Sequence, residues 1–304
     1  MMRSLNFCML VAFVAFSHVA IVFSTVRYVR VGATGNGSSW TGASGDLQAV
    51  INGSSEGDEV WIAAGTYVPA RAINSLGTVT LGNRNNAFVI SGNIRVYGGF
   101  AGYETALDER DLKNNRTVLS GRTDNINLYH VVVFAGGSEA VLDGFVIEGG
   151  KADGKETVTI SGKEFRQEAG GGVYIMRSSP RLNHVTVKDN SAVYGGGIYS
   201  FHSFPVFTNV VVSQNSANQG GGVYNYYSFP TITNTTVSQN SGSGLYNAVS
   251  GPELSNSVVW ENGNDIYNDV YSRTDYSYSL VENELSDTDY LNIEDAPPGE
   301  DTAG

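Results

Sequence analysis

The stretch GGGVYIMRSSPRLNHVTVKDNSAVY, residues 170–194, is followed by two near-copies with the same residue types at matched positions. These are GGGIYSFHSFPVFTNVVVSQNSANQ, residues 195–219, and GGGVYNYYSFPTITNTTVSQNSGS, residues 220–243. A shorter fourth copy, GLYNAVSGPELSNSVVWENGND, occupies residues 244–265. Self-similarity with a period of about 25 residues is the sequence signature of a solenoid, in which each coil buries its apolar face against its neighbours. The repeat therefore predicts a stack of coils.

Each repeat contains three short runs compatible with β-strands, which in the first copy are GGGVYI, PRLNHV and VTVKDN. Three strands per coil are typical of a parallel β-helix, so we predict an all-β fold with three short strands in each coil. Alternation along the runs assigns three inward columns of apolar side chains. The columns are Val173, Ile198, Val223 and Leu245; Leu182, Phe207, Ile232 and Leu254; and Val187, Val212, Val237 and Val259.

Two rows of polar residues also recur at every coil. They are His184, Asn209, Asn234 and Asn256, and then Asn190, Asn215, Asn240 and Asn262. Stacked asparagines can link their amides from coil to coil, and they tolerate left-handed backbone angles. A ligand site is the alternative, but a site needs particular chemistry once rather than in every coil. We interpret both rows as structural ladders, and the glycine triplets as turns because they open strands rather than helices.

The remaining sequence suggests five segments. Residues 1–24 combine a basic start with a long apolar run and read as a signal peptide, with an uncleaved membrane anchor as the alternative. Residues 25–57 cap the solenoid with a short helix near residues 44–52. Residues 58–168 form irregular coils whose insertions, at 69–84, 101–115 and 151–168, are where function would be grafted. Residues 169–281 are the regular repeats. Residues 282–304 are expected to form an acidic, disordered tail.

Charge and cysteine content restrict the function. The chain has 18 Lys and Arg against 30 Asp and Glu, a net charge of −12. This charge argues against nucleic-acid binding, and it disfavours a polyanionic ligand unless calcium bridges the protein and the ligand. The single cysteine, Cys8, lies in the apolar run, so the mature chain is expected to lack thiols and disulfides. We expect no cofactor, no membrane span after signal cleavage and a monomeric protein.

Candidate catalytic residues are sparse in the regular coils. The basic residues are Arg177, Arg181 and Lys188, and the neighbouring acid is Asp189. Eliminative cleavage of a uronic-acid polymer needs a strong base beside acidic groups that hold calcium, and hydrolysis needs a pair of carboxylates. Glutamines follow Asp189 in its column, so a stacked carboxylate pair is not expected there.

Four further titratable residues are candidates for a catalytic or metal-binding role. Asp143 and Glu148, around the LDGF motif, are interpreted as turn residues, with a catalytic role as the alternative. His130 and His202 have no ligand residues at metal-binding spacing. The sequence therefore predicts neither a catalytic residue nor a metal site.

One aromatic column recurs on the predicted outer face of the coils. It consists of Tyr174, Tyr199, Tyr224 and Tyr246. Further aromatic residues occupy the adjoining turn, namely Tyr226, Tyr227, Phe201, Phe204 and Phe229. We predict that the tyrosine column is exposed and is a candidate binding surface for sugar rings or protein partners. The alternative is that the rings only shield the sheet and stack on one another.

The order of motifs resembles one protein family along nearly the whole chain, from Tyr28 to about Val281. The block YVRVGATGNGSSWTGASGDLQAVI is followed by GDEVWIAAGTYVP, IRVYGGFAGYET, TVLSG, VLDGFVIEGG and the GGG[VI]Y coils. This resembles secreted bacterial right-handed parallel β-helix proteins described as adhesin-like or as related to polymorphic outer-membrane proteins. The resemblance implies a right-handed solenoid of pectate-lyase-like coil shape that is exported to the envelope or beyond.

Together these features predict a protein that is secreted or on the outer cell surface and that binds or displays rather than catalyses. Glycans, or surface proteins of a host or neighbouring cell, are the expected partners. The alternative is a polysaccharide lyase or glycoside hydrolase of the pectate-lyase-like superfamily that uses the irregular coils. Many members of the family continue into further coils and a C-terminal sorting segment, which is not visible after Leu291.

Overall fold

A computed structural model of the protein describes residues 24–160 and 162–282. Apart from Ser24 and Glu282, the predicted signal peptide and acidic tail lie outside the described residues. The described part of the chain forms 29 strands, one α-helix and one 3₁₀ helix. None of its helices has the length and apolar character needed to cross a membrane.

The first part of the chain contains twelve strands with variable connections. The strands are β1 (Val26–Val29), β2 (Glu59–Ala63), β3 (Gly65–Tyr67), β4 (Phe88–Ile90), β5 (Arg95–Phe100), β6 (Thr117–Ser120), β7 (Val132–Phe134), β8 (Val141–Asp143), β9 (Phe145–Glu148), β10 (Lys151–Ala152), β11 (Thr157–Ile160) and β12 (Lys163–Arg166). The α-helix, α1 (Leu47–Asn52), follows β1, and the 3₁₀ helix, Leu107–Glu109, follows β5.

The regular repeats follow from β13 onward. Their strands are β13 (Val173–Met176), β14 (Arg181–Asn183), β15 (Thr186–Lys188), β16 (Ser191–Tyr194), β17 (Ile198–Phe201), β18 (Val206–Thr208), β19 (Val211–Ser213), β20 (Ser216–Gln219), β21 (Val223–Tyr226), β22 (Thr231–Thr233), β23 (Thr236–Ser238), β24 (Ser243–Ala248), β25 (Glu253–Ser255), β26 (Val258–Trp260), β27 (Asn264–Asn268), β28 (Asp275–Ser277) and β29 (Leu280–Val281).

Three long parallel sheets form the walls of the solenoid, as expected for a coil with three strands. Sheet I has the order β1-β2-β5-β8-β14-β18-β22-β25-β28, sheet II β3-β6-β9-β15-β19-β23-β26-β29, and sheet III β4-β7-β13-β17-β21-β24-β27. Each complete coil contributes one strand to each sheet, and the incomplete coils at the two ends account for the different strand numbers of nine, eight and seven. The predicted parallel β-helix is therefore confirmed. A fourth short sheet, β10-β16-β20, adds a strand that the polar runs SAVY and SANQ had not indicated.

The core is the shaft enclosed by the three sheets. The strand register places Val173 beside Ile198, Leu182 beside Phe207, and so on for each of the three predicted columns. All twelve side chains are buried in one continuous apolar cluster. The predicted inward columns are therefore confirmed, because like residues at matched positions stack directly above one another.

The second polar row is a continuous ladder of buried amides. Asn190 Nδ2 donates to Asn215 Oδ1, Asn215 Nδ2 to Asn240 Oδ1, and Asn240 Nδ2 to Asn262 Oδ1, at 3.1, 3.1 and 2.9 Å. Each of these oxygens also accepts the backbone N–H of the asparagine in the preceding coil. The row thus satisfies polar groups that the turn would otherwise bury without partners.

The interpretation of the first polar row as a ladder is wrong, because its side chains are exposed and do not link coil to coil along the whole row. His184, Asn209, Asn234 and Asn256 all have left-handed backbone angles, with φ between 49 and 54°. Their side chains are exposed, and the contact between Asn209 Nδ2 and His184 Nε2, 3.1 Å, is the one that links two of them. This row bends the chain between sheets I and II, and the residue type matters because asparagine tolerates that conformation.

The N-terminal end of the shaft is closed by the short helix α1. Asp46 caps the helix by accepting the Ala49 N–H at 2.9 Å. Leu47, Val50 and Ile51 are buried against the first coil. Gln48 is also buried, and its amide accepts from the N–H and donates to the C=O of Val89 in β4, at 2.8 and 3.0 Å. The Gln48 side chain therefore satisfies backbone groups at the open edge of β4, the first strand of sheet III, which a preceding coil would otherwise have to pair.

Candidate functional site

The predicted tyrosine column lies on the outer face of sheet III. Tyr174, Tyr199, Tyr224 and Tyr246 occupy matched positions in β13, β17, β21 and β24, and Tyr267 in β27 extends the column. Ring centroids of successive members are 4.9, 5.4, 4.8 and 4.3 Å apart. The last three pairs are stacked and the first is edge-on. Parallel register holds the rings in a continuous row.

The prediction that the whole column is exposed is wrong for its first two members. Tyr174 and Tyr199 are only 1% and 3% exposed. The reason is the insertion at residues 151–168, which forms the antiparallel hairpin β11–β12 and folds over this end of sheet III. Phe165 of the hairpin is fully buried, with its ring 5.1 Å from that of Tyr174. Tyr224 and Tyr246, beyond the hairpin, are partly exposed.

Beyond the hairpin the outer surface carries a patch of rings that we name the aromatic face. It consists of Tyr224, Tyr226, Tyr227, Tyr246, Tyr267, Phe204 and Phe229. Phe204 and Phe229 are 61% and 47% exposed and stack at 5.7 Å. Tyr226 contacts Tyr224 and Tyr227 at 6.5 and 4.7 Å, so it joins the tyrosine column to the rings of the turn. The result is a partly exposed aromatic surface that follows the axis of the solenoid, and its stacked pairs present ring edges rather than ring faces.

Two aromatic residues of the turn adopt an uncommon backbone conformation. His202 and Tyr227 follow β17 and β21 at φ 48° and 49°, and their rings stack at 4.8 Å. Left-handed angles are unfavourable for bulky residues, so the surrounding turn must impose them. Both rings are exposed at the turn and extend the aromatic surface.

A cleft of about 500 Å³ separates the hairpin from sheet III, and we name it the hairpin cleft. The hairpin side is lined by Thr157, Gly162, Lys163, Glu164 and Arg166. The sheet side is lined by Tyr174, Met176, Arg177, Tyr199, Phe201 and Tyr226. The cleft therefore combines three cationic side chains and one carboxylate with aromatic walls.

The cations of the cleft differ in their partners. Arg166 is ion-paired with Glu168 and lies over the Tyr194 ring, 5.2 Å from its centroid. Lys163 Nζ donates to the Ala135 carbonyl at 2.5 Å. Burial lowers the pKa of Lys163, and the nearby positive charge of Arg177 lowers that pKa further. Within the described residues neither Lys163 nor Arg177 forms an ion pair.

The upstream acids are held in ion pairs. Asp143 and Glu148 are the last residues of β8 and β9, so they end strands rather than lie in turns. Asp143 is buried, and its Oδ1 lies 3.3 Å both from Arg110 Nη1 and from His184 Nδ1. Glu148 pairs with Lys188 at 3.4 Å. Lys188 also pairs with Asp189 at 2.8 Å, so Glu148 shares its cation, whereas Asp143 contacts both Arg110 and His184.

The two isolated histidines occupy different environments. His130 is fully buried, with Nδ1 3.0 Å from the Gly170 carbonyl, whereas His202 is exposed at its turn. In residues 24–160 and 162–282, no three His, Cys, Asp or Glu side chains are grouped so that they could hold a metal ion.

Lys163 and Arg166 were not among the residues singled out from the sequence. The run TVTI, the dipeptide SG and the run KEFR, residues 157–166, form an alternating pattern around a turn signal. Such a pattern indicates a β-hairpin. It could have revealed the hairpin, but not the sheet on which it packs.

Comparison with known proteins supports the architecture. A family profile described as right-handed β-helix region matches residues 134–285, half of the chain. No curated protein matches the sequence. Among solved structures, the crystal structure of pectate lyase Pel9A superposes with a TM-score of 0.53 and 15% sequence identity. The match covers 86% of this chain but only 60% of that enzyme. At this identity the similarity shows the fold alone, and it agrees with the predicted pectate-lyase-like coil shape. The chain belongs to the right-handed β-helix family.

Proposed function

We propose that the protein is a secreted or cell-surface β-helix that binds glycans without cleaving them. The aromatic face is the observation that carries this proposal. Its rings stack face to face along the axis of a rigid solenoid. They therefore present a row of ring edges, on which the C–H and hydroxyl groups of a sugar chain can contact aromatic edges and tyrosine hydroxyl groups. Export depends on the signal peptide predicted for residues 1–24, and adhesion is the role that the family resemblance suggests.

The geometry favours an elongated ligand over a compact one. Successive rings of the column are 4.8 and 4.3 Å apart from Tyr224 to Tyr267, and Phe204 and Phe229 form a second, neighbouring pair. A chain of sugars could therefore contact several rings at once, and weak contacts add along a preorganised surface. Surface proteins of a host or neighbouring cell are the other partner class, and they are tested in the same experiment.

We expect the double variant Phe204→Ala/Phe229→Ala to lose glycan binding. Each exposed ring contributes roughly 0.5–1.5 kcal/mol, so the double variant should bind up to about 100-fold more weakly. Affinity would be measured by calorimetry for the strongest hit from an array of polysaccharides and host surface proteins. The matched control is Tyr103→Ala, which removes a 79% exposed ring from a loop away from the aromatic face. Unchanged affinity in the double variant, or equal loss in the control, would refute the proposal.

A second candidate function is eliminative cleavage of an acidic polysaccharide in the hairpin cleft. It is favoured by Lys163, because burial and the Arg177 charge lower the pKa of Lys163 and bring its amine closer to the range in which it can act as a base. Incubation with acidic and neutral polysaccharides, followed by detection of unsaturated products, separates the two functions. Turnover that disappears in Lys163→Ala would establish the lyase and contradict the non-catalytic proposal.

A further inference from the structure

We infer that the hairpin cleft binds an anionic substituent of a glycan directly through Lys163 and Arg177, without a bridging calcium ion. The inference rests on the proposed glycan binding and adds the chemical class of the ligand. It also departs from the expectation, based on net charge, that polyanions bind only through calcium.

The local charge of the cleft is opposite to that of the whole protein. The chain carries a net charge of −12, yet the cleft is lined by Lys163, Arg166 and Arg177 against one carboxylate, Glu164. Glu168 compensates Arg166. Two cations then remain without an ion-pair partner in the described part of the chain. With Glu164 counted against these two cations, the lining keeps an excess of positive charge, and such an excess in a cleft focuses the local field whatever the sign of the total charge.

Lys163 and Arg177 approach from opposite walls. Lys163 begins β12 of the hairpin, whereas Arg177 follows β13 of sheet III at φ 46°. Two causes lower the pKa of Lys163: burial is the larger, and the positive charge of Arg177 is the second. The second cause means that the two cations repel each other across the cleft. An anion placed between them would relieve this repulsion and form two charge-assisted hydrogen bonds.

The cleft is continuous with the aromatic face. Tyr226 lines the cleft and also contacts both Tyr224 and Tyr227. A volume of about 500 Å³ is in the range of small-ligand sites. One sugar of a longer chain can therefore occupy the cleft while its neighbours lie on the exposed rings.

The donor set does not suit calcium. Calcium takes six to eight oxygen ligands, mostly carboxylates and carbonyls. Glu164 is the one carboxylate that lines the cleft, and no group of three ligand side chains occurs among residues 24–160 and 162–282. Lysine and arginine instead bind carboxylates and sulfates directly.

The test uses three glucans of matched chain length: neutral dextran, carboxymethyl dextran and dextran sulfate. Calorimetry at low salt should give at least about tenfold tighter binding of an anionic dextran than of neutral dextran. The preference should be the same with chelator and with added calcium, and it should fall as salt is raised. The carboxymethyl and sulfate arms identify which anion the cleft prefers.

Lys163→Gln and Arg177→Gln should each weaken binding of the preferred anionic dextran about tenfold and leave the affinity for neutral dextran unchanged. The control is Arg181→Gln, which removes an exposed arginine from β14 in the same coil and should change neither affinity. The inference is overturned if no dextran binds, if neutral and anionic dextrans bind equally, if chelator abolishes the preference, or if the control costs as much as Arg177→Gln.

The aromatic variant keeps the two proposals distinguishable. If Phe204→Ala/Phe229→Ala weakens neutral and anionic binding alike but no anionic preference exists, the aromatic face stands and the cleft assignment fails. If the preference depends on Lys163 and Arg177 while the aromatic variant has no effect, the cleft stands and the aromatic face fails.

Discussion

Asn215→Ala should lower the free energy of unfolding by about 3 kcal/mol, because it removes the centre of a buried ladder. The side chain of Asn215 donates to the carbonyls of Val187 and Ser213 and to Asn240 Oδ1, at 2.9, 3.0 and 3.1 Å. Its Oδ1 accepts from the backbone and side chain of Asn190, both at 3.1 Å. Alanine leaves the backbone groups buried without partners, and each such group is costly.

Asn209→Ala is the matched control, since Asn209 is an exposed asparagine six residues earlier in the same coil. It should cost only about 1 kcal/mol, which is the strain of alanine at the left-handed φ of 54°. Urea unfolding would be followed by circular dichroism and by tryptophan fluorescence, since solenoids can unfold in parts. Trp61 reports on the first coils and Trp260 on the fourth repeat. Equal losses in the two variants would show that the buried ladder has no special role.

The free energy of unfolding should decrease as the pH is lowered from 6.5 to 4, because of the buried His130. Burial lowers the pKa of His130 to about 4 from its ordinary 6.5, despite the opposing hydrogen bond to Gly170. In this range the unfolded chain binds a proton that the folded chain excludes. The stabilisation is therefore complete above pH 6.5 and is lost as the pH falls to 4. The shift corresponds to about 3 kcal/mol.

The variant His130→Phe should abolish that pH dependence, whatever its effect on stability at neutral pH. A phenyl ring retains contact with the Tyr174 ring, 5.4 Å away, but cannot take up a proton. The control His202→Phe applies the same chemical change to the exposed histidine and should keep the wild-type slope. Buried carboxylates such as Asp58, whose pKa is lowered, reduce stability mainly at still lower pH. A slope that persists in His130→Phe would contradict the assignment.

The fold could be predicted from the sequence because equivalent positions of consecutive repeats become neighbours in the stack of coils. Val212 lies between Val187 and Val237 in the structure because these residues occupy the same position of consecutive repeats. The same periodicity predicts the ladder of Asn190, Asn215, Asn240 and Asn262. It did not separate the buried row from the left-handed row, since both consist of recurring asparagines and only their burial differs.

The candidate site could be predicted from the sequence only in part. The recurrence of tyrosine predicted the column, and the structure stacks it as expected. Which tyrosines reach solvent depends on the hairpin, which occurs once and has no counterpart in the repeat. Phe165 covers Tyr174 through a contact that no spacing within the repeats encodes.

The repeat pattern was enough to predict the architecture, the inward columns and the existence of an aromatic row, because neighbouring coils contact each other at a constant sequence separation. The location of the exposed surface and of the positively charged cleft depends instead on how the hairpin packs on the solenoid. The hairpin brings Lys163 to the same cleft as Arg177, although the chain as a whole is acidic. Its position depends on packing across the outside of the solenoid, where the contacts are not periodic and sequence spacing carries no information about them.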